Sequence, residues 1–265
     1  MNSAAPASDA KALLVISSRS SRHEFAARWG AAGDAPVVSV SSPQSALEAM
    51  LGPGVEIAAV DLASTDFDGH DLLAIARSHE YSRRLPGVPV IALAGDDARA
   101  RARALSEGFL ACVDPVSETG VLAVSIQRAR ELRAHTVRNL PTVDLEGILG
   151  KLVGATAQGG AAGPSQILSG WTLAVESNGR EMLHDCLLAA YHGDGPGAAA
   201  KAAMFAGMAR AVHAAQLAFL AGELSSAAMS QDLERLERTV VLARAELDRI
   251  AFALRDEVQR KGWSR

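Results

Sequence analysis

Apolar positions up to residue 116 fall into short continuous runs that alternate with helical patterns. The runs are ALLVIS (12–17), PVVSV (36–40), EIAAVDL (56–62), VPVIAL (88–93) and FLACV (109–113). They are too short for helices and almost continuously apolar, which is typical of strands buried on both faces of a parallel sheet. The segments between them carry helix-start signals, such as Ser42 before Pro43 and Ser21 three residues before Glu24. Five β/α repeats therefore predict an α/β fold, a doubly wound five-stranded parallel sheet.

The strand pattern stops near residue 117, and the rest of the chain is predicted to be helical. One long helix over 117–140 completes the first domain, and Pro141 then interrupts the pattern. The helical patterns beyond it cover 144–156, 166–176 with 179–192, 197–222 and 228–261. The predicted organisation is a flexible N-terminus over 1–10, an α/β domain over 11–140 and an all-α helical domain over 141–265.

Apolar residues of the last predicted helix recur at alternating spacings of three and four. They are Leu233, Leu236, Val240, Ala243, Leu247, Ile250 and Leu254. This is the a/d rhythm of knobs-into-holes packing, and it fits a helical bundle within one chain as well as a coiled coil between two. Because this seam and the alanine-rich 197–222 segment offer more apolar face than a small bundle needs, we expect a homodimer.

Composition and charge exclude several function classes. The chain has 265 residues, 49% of them hydrophobic, and a net charge of −4. Residues 141–265 hold 12 Lys and Arg against 14 Asp and Glu, so a nucleic-acid partner is not expected. Cys112 and Cys186 lie far apart in apolar segments, as reduced core cysteines do. Because no signal-peptide pattern and no membrane-length apolar run is present, we expect a cytoplasmic protein without membrane insertion.

An acid-rich stretch follows the third predicted strand. In VDLASTDFDG, residues 60–69, Asp61 ends the strand, and Asp68 and Gly69 close the loop that follows. Placed within five β/α repeats, this spacing resembles the receiver domain of two-component response regulators, and the resemblance covers residues 11–135. It implies that Asp61 occupies the position of the phosphate-accepting aspartate, and it implies a role in signalling.

The sequence departs from the receiver pattern at the other reactive positions. Receiver domains hold a divalent cation with an acidic pair at the end of the first strand, where this chain has Ser17 and Ser18. Their fourth strand ends in Ser or Thr, here Ala94, and their fifth strand ends in Lys, here Asp114. Neutral hydroxyls are poor ligands for a hard cation. A carboxylate at the lysine position would repel the phosphoryl group.

These departures favour a pseudo-receiver, a receiver fold retained for protein contacts after its phosphorylation chemistry was lost. We therefore predict an atypical response-regulator-like signalling protein that is not an enzyme and binds other signalling proteins. No cofactor or structural metal is expected, and Mg²⁺ would be bound only if Asp61 is phosphorylated. The alternative is a divergent receiver, phosphorylated at Asp61, that drives a helical output domain. Its cation would then be held by other loop acids: Asp66, Asp68, Asp96, Asp97 and Asp114.

Two histidines of the helical half provide a further alternative, a phosphotransfer or enzymatic domain. Phosphotransfer domains follow their histidine with a lysine and a small residue. Here Asp185 and Cys186 follow His184, and two alanines follow His213. We expect both histidines on helix faces in partial burial. A nucleic-acid-binding regulator is the remaining alternative, although no compact helix-turn-helix with a basic recognition helix is present.

Overall fold

The chain forms two compact units. The computed structural model describes residues 12–17, 25, 27–28, 30, 36–52, 54–83, 87–138, 164–212 and 214–260. The first unit comprises Met1–Asp96 and Phe109–Arg133, and the second comprises Asp97–Gly108 and Ala134–Arg265. The predicted N-terminal segment 1–10, the predicted helix over 144–156 and the predicted boundary at 140/141 all lie outside the described residues.

The first unit is built on a five-stranded parallel sheet. Its strands are β1 (Ala12–Ile16), β2 (Val37–Val40), β3 (Val55–Asp61), β4 (Val90–Leu93) and β5 (Cys112–Val113). They are ordered β2-β1-β3-β4-β5, and every neighbouring pair is parallel. This is a doubly wound strand order, whose ligand crevice lies at the carboxyl ends of β1 and β3. The predicted α/β class with a parallel sheet is confirmed.

Four helices follow strands of the sheet in the sequence. They are α1 (Pro43–Leu51), α2 (Gly69–Arg83), α3 (Ala98–Glu107) and α4 (Thr119–Arg138). Ser42 begins α1 as predicted, because its Oγ accepts the Ser45 N–H at 3.2 Å and Pro43 occupies the first turn. The predicted capping box of Ser21 and Glu24 lies outside the described residues.

The second unit is helical. Beyond α3, it contains α5 (Pro164–Leu173), a π-helical turn (Ala174–Asn178), α6 (Gly179–Tyr191), α7 (Gly195–Ala211), α8 (Ala215–Met229) and α9 (Leu233–Arg260). The prediction of one helix over 197–222 is wrong, because the chain turns after Ala211. The amide of Ala214 donates to the carbonyl of Ala209 at 2.8 Å, which closes α7. None of the described helices is long and apolar enough to cross a membrane.

Helix α3 belongs to the helical unit, although it follows β4 in the chain. The guanidinium of Arg101 donates to both carboxylate oxygens of Glu237 on α9, at 2.8 and 3.1 Å. The buried Arg244 of α9 donates to the carbonyl of Ser106 at 3.0 Å. Because these hydrogen bonds join residues more than 130 positions apart, no local sequence pattern predicts them.

The predicted heptad seam of α9 lies inside the helical unit of a single chain. Six of its members are at most 2% exposed: Leu236, Val240, Ala243, Leu247, Ile250 and Leu254. The seventh, Leu233, is 41% exposed at the start of the helix. Leu247 lies against Gly179, where an added Cβ would come within 2.9 Å of its methyl groups. The seam is therefore used within one chain, and the expected homodimer would need a different surface.

Candidate functional site at the carboxyl edge of the sheet

Strand register brings the receiver-like positions to one edge of the sheet. Ile16 pairs with Val60, so Ser17 stands level with Asp61 on the neighbouring strand. Asp61 pairs with Leu93, and the amide of Ala94, the next residue, donates to the carbonyl of Val113 at 3.0 Å. The ends of β1, β3, β4 and β5 therefore present their final residues side by side, as the resemblance implies.

Asp61 is a buried carboxyl group with one local hydrogen bond. Its side chain lies at the end of β3 and the residue is 4% exposed. The N–H of Ala63 donates to Oδ1 at 3.0 Å, as in an Asx turn. Burial raises the pKa of Asp61 above its ordinary value, and the bond from Ala63 offsets this only in part. The surroundings of Asp61 thus oppose its charged form.

The described residues that follow β1 and β4, the two strands next to β3, are small and uncharged. Ser17 is fully buried at the end of β1, and its amide donates to the carbonyl of Val40 at 3.3 Å. Ala94 at the end of β4 is 5% exposed and carries no group that could bind a phosphoryl oxygen. Ser18 lies outside the described residues. The described neighbours therefore supply neither a carboxylate for a cation nor a hydroxyl from β4.

Asp114 directly follows β5 and stabilises the turn that leads into α4. Its Oδ1 accepts the N–H of Val116 at 3.0 Å, and its carbonyl accepts the N–H of Ser117 at 2.9 Å. The carbonyl of the next residue, Pro115, accepts a hydrogen bond from Nη1 of Arg28 at 2.8 Å. No local sequence pattern predicts this arginine at the edge, because Arg28 lies 87 residues from Pro115 along the chain.

Asp68 and Gly69, in the loop after β3, have structural roles. Asp68 accepts the N–H groups of His70 and Asp71 at 2.8 and 3.3 Å, so it caps α2. A Cβ on Gly69 would lie 2.7 Å from Leu62 and 2.8 Å from Val60, which requires glycine at this close approach. The spacing of the stretch therefore has a structural basis in helix capping and packing.

The remaining candidate cation ligands include Asp66 and Asp97. Asp66 is exposed, and Asp97 caps α3 by accepting the N–H of Ala100 at 2.8 Å. No group of three or more His, Cys, Asp or Glu side chains within the described ranges has the geometry of a metal site. The carboxylates of Asp61, Asp68, Asp97 and Asp114 each accept a backbone N–H instead.

The described residues around His184 form no catalytic cluster that would support the phosphotransfer or enzymatic alternative. His184 lies on α6, Asp185 forms an ion pair with Lys201 at 2.8 Å, and the buried thiol of Cys186 donates to the carbonyl of Ala198. Burial raises the pKa of Cys186 to about 11, which keeps the thiol protonated at neutral pH. These three side chains have separate partners or surroundings. His213 lies outside the described residues.

Comparison with known proteins adds a structural likeness. No family model and no curated protein matches the chain. Among solved structures, a response regulator receiver domain protein from Clostridium thermocellum matches with 20% sequence identity and a TM-score of 0.39. The match covers 47% of this chain and 97% of that protein. From its own strand order and helices, the chain is an α/β domain with a receiver-like parallel sheet, followed by a mostly helical region.

Proposed function

We propose that this protein is a response-regulator-like signalling protein whose receiver-like domain acts through protein contacts without standard phosphorylation. The observation that carries this proposal is the edge of the sheet around Asp61. Ser17 follows β1, Ala94 follows β4 and Asp114 follows β5. An acid stands there in place of the receiver lysine.

The chemistry of phosphoryl transfer supports the proposal. Transfer to a carboxylate needs a cation that neutralises the phosphoryl oxygens, and it needs the acceptor in its charged form. Here burial disfavours the charged form of Asp61, and Asp114 would add negative charge near the incoming group. The hydrogen bond from the Ala63 N–H gives the buried Asp61 a structural role at the end of β3 that needs no phosphorylation.

The same proposal assigns the protein's activity to its surfaces. It is a cytoplasmic, non-enzymatic protein whose partners are other signalling proteins, and the acidic balance of the chain disfavours a nucleic-acid partner. The helical unit is the output or interaction part. If the protein is a homodimer, the dimer forms through surfaces other than the buried seam of α9.

Treatment of the purified protein with a small phosphodonor and Mg²⁺, followed by intact-mass measurement, tests the proposal. We expect no added phosphoryl mass on the wild-type chain. A restored variant carrying Ser17→Asp, Ala94→Thr and Asp114→Lys is the positive control, and its modification should disappear when Asp61→Asn is added. Thermal unfolding of each variant shows that it is folded.

Phosphorylation of the wild-type chain that is lost in Asp61→Asn would overturn the proposal. It would favour the divergent receiver, in which acids of the loops hold Mg²⁺ in a different arrangement. Modification that persists in Asp61→Asn and disappears in His184→Gln or His213→Gln would instead favour the phosphotransfer alternative for the helical unit.

A further inference from the structure

Helix α8 turns an uncharged stripe of side chains outward. The exposed residues of this helix, all of whose positions are described, recur at alternating spacings of four and three: Ala215, Phe219, Gly222, Ser226 and Met229. This spacing keeps them on one side of the helix, as in the contact seam between two packed helices. The largest of them, Phe219, is 61% exposed. The stripe therefore has the pattern of a helix–helix contact but faces away from the described core.

Helix α7 extends this surface. It packs against α8, and its exposed residues recur at similar spacings: Pro196, Ala200, Ala203, Met204, Gly207, Arg210 and Ala211. All of them except Arg210 are uncharged. Because both helices bury their opposite sides within the helical unit, the two stripes lie side by side on its surface. We call these two stripes together the α7–α8 face.

Charged side chains next to the α7–α8 face are paired within the chain. Lys201 of α7 pairs with Asp185 of α6 at 2.8 Å, and Glu223 of α8 pairs with Arg235 of α9 at 2.6 Å. A strongly charged partner would therefore find little opposite charge on this face. In a two-fold symmetric dimer the same surface meets itself, so a charged face would repel its copy, whereas an uncharged face does not. The charge distribution favours a second copy of this chain.

The α7–α8 face is large enough for a specific dimer. Helix α7 has 17 residues and α8 has 15, so the two helices are about 25 and 22 Å long. Because packed helices lie about 10 Å apart, the face measures roughly 25 by 20 Å and would cover about 500 Å² on each chain. The total for two chains is about 1,000 Å², which reaches the lower limit of specific interfaces.

Gly222 lies at the middle of the α8 stripe. Nothing in the described part of the chain lies within 4 Å of a Cβ added there, so packing within one chain does not require a glycine. Glycine weakens the interior of a helix relative to alanine, but it also allows another backbone to approach closely. An antiparallel contact between the α8 helices of two copies would bring their Gly222 residues together at its centre.

We propose that the protein forms a homodimer through the α7–α8 face, with the two α8 helices antiparallel across a two-fold axis near Gly222. The proposal does not depend on the pseudo-receiver role, because the α7–α8 face belongs to the helical unit and uses no residue of the sheet unit. The oligomeric state and the phosphorylation measurement can therefore fail separately.

Analytical ultracentrifugation of the full chain, at micromolar to submillimolar concentrations, tests the proposal. We expect a species of twice the 27.6 kDa mass of one chain. Phe219→Glu and Gly222→Glu should each raise the dissociation constant of the dimer about tenfold or more, because two like charges would then meet across the axis. Both variants should fold, since Phe219 is exposed and the space beside Gly222 is open, and circular dichroism checks this.

Leu173→Glu is the matched control, because Leu173 is an apolar residue of α5 in the same unit and is 67% exposed, close to the value of Phe219. It should leave the dissociation constant unchanged. A mixture of Phe219→Glu and Phe219→Arg should associate more tightly than either variant alone, because opposite charges would then face each other across the axis.

Three results would overturn the proposal. A wild-type chain that stays monomeric would leave the α7–α8 face to an apolar helix of a different protein. A dimer that is unchanged in Phe219→Glu and Gly222→Glu would show that another surface joins the two copies. A mixture of Phe219→Glu and Phe219→Arg that gains no affinity would contradict the two-fold arrangement around Gly222.

Discussion

The carboxylate of Glu237 on α9 holds both the guanidinium of Arg101 and the hydroxyl of Tyr191. Arg101 donates to it at 2.8 and 3.1 Å, and the Tyr191 hydroxyl donates to its Oε1 at 2.8 Å. Burial, with the nearby negative charge of Glu237, raises the pKa of Tyr191, so the phenol stays protonated and remains a donor. One carboxylate thereby joins α3, α6 and α9 of the helical unit.

Substitution of this carboxylate should destabilise the helical unit. Glu237→Ala leaves the partly buried donors of Arg101 and Tyr191 without their acceptor, at a cost of about 1–3 kcal/mol in unfolding free energy. Tyr191→Phe removes one hydrogen bond and should cost about 1 kcal/mol. Urea denaturation gives these values. Arg103→Gln is the control, since its pair with Glu107 is more exposed and contributes at most about 0.5 kcal/mol. Equal losses of unfolding free energy in Glu237→Ala and Arg103→Gln would contradict the role of Glu237 in joining the three helices.

The seam of α9 should behave as a core within one chain. Leu247→Ala opens a cavity beside Gly179 and should cost about 2–5 kcal/mol, whereas Leu233→Ala at the exposed start of the seam should cost under about 1 kcal/mol. Any dependence of the unfolding midpoint on protein concentration should also persist in Leu247→Ala, because no second chain is needed to bury the seam. A midpoint that rises with concentration, and loses this dependence in Leu247→Ala, would show that the seam is intermolecular.

Gly69 should tolerate no side chain. In Gly69→Ala, the new methyl group would lie 2.7 and 2.8 Å from side-chain atoms of Leu62 and Val60, so these buried or half-buried side chains must shift. We expect a loss of about 1–3 kcal/mol, the usual cost of overpacking. Gly120→Ala is the control, because nothing lies within 4 Å of the added atom and alanine favours a helix. It should be neutral or stabilising by up to about 1 kcal/mol. Thermal unfolding compares the two variants.

The burial of Asp61 predicts a pH-dependent gain of stability in Asp61→Asn. Since the folded protein raises the pKa of this carboxyl group above 3.8, the folded state holds the proton more tightly than the unfolded state. The native state is therefore favoured below that value, and this contribution is lost as pH rises through the folded pKa. An asparagine at this position stays neutral at all pH values and can still accept the hydrogen bond from the Ala63 N–H, so its contribution to stability does not fall as pH rises.

Denaturant unfolding at acidic and neutral pH measures this difference. Asp61→Asn should be close to the wild type in acid and more stable at pH 7. Asp66→Asn, a substitution of an exposed acid in the same loop, should change stability little at either pH. A variant that is less stable than the wild type at pH 7 would mean that the charged form of Asp61 is favoured by the fold.

The break between α7 and α8 could not be predicted from the sequence alone. The 197–222 segment is apolar nearly throughout, so its pattern carried no stop signal. The break after Ala211 arises because α7 and α8 can bury their alanine faces only by folding back, with buried side chains such as Phe205 and Leu217. In contrast, the Ser42 cap and the Asp97 cap are local, and local chemistry predicted the start of α1 correctly.

The sequence by itself determined the alternation of strands and helices, the position of Asp61 at a strand end and the residue types that follow the neighbouring strands. The sequence predicts these features because each depends on residues only a few positions apart, whose hydrophobic periodicity and residue type can be seen directly. Only the tertiary structure placed α3 with the helical unit and buried the α9 seam within one chain. Each of these depends on which distant side chains meet, because burial and pairing are properties of the packed chain.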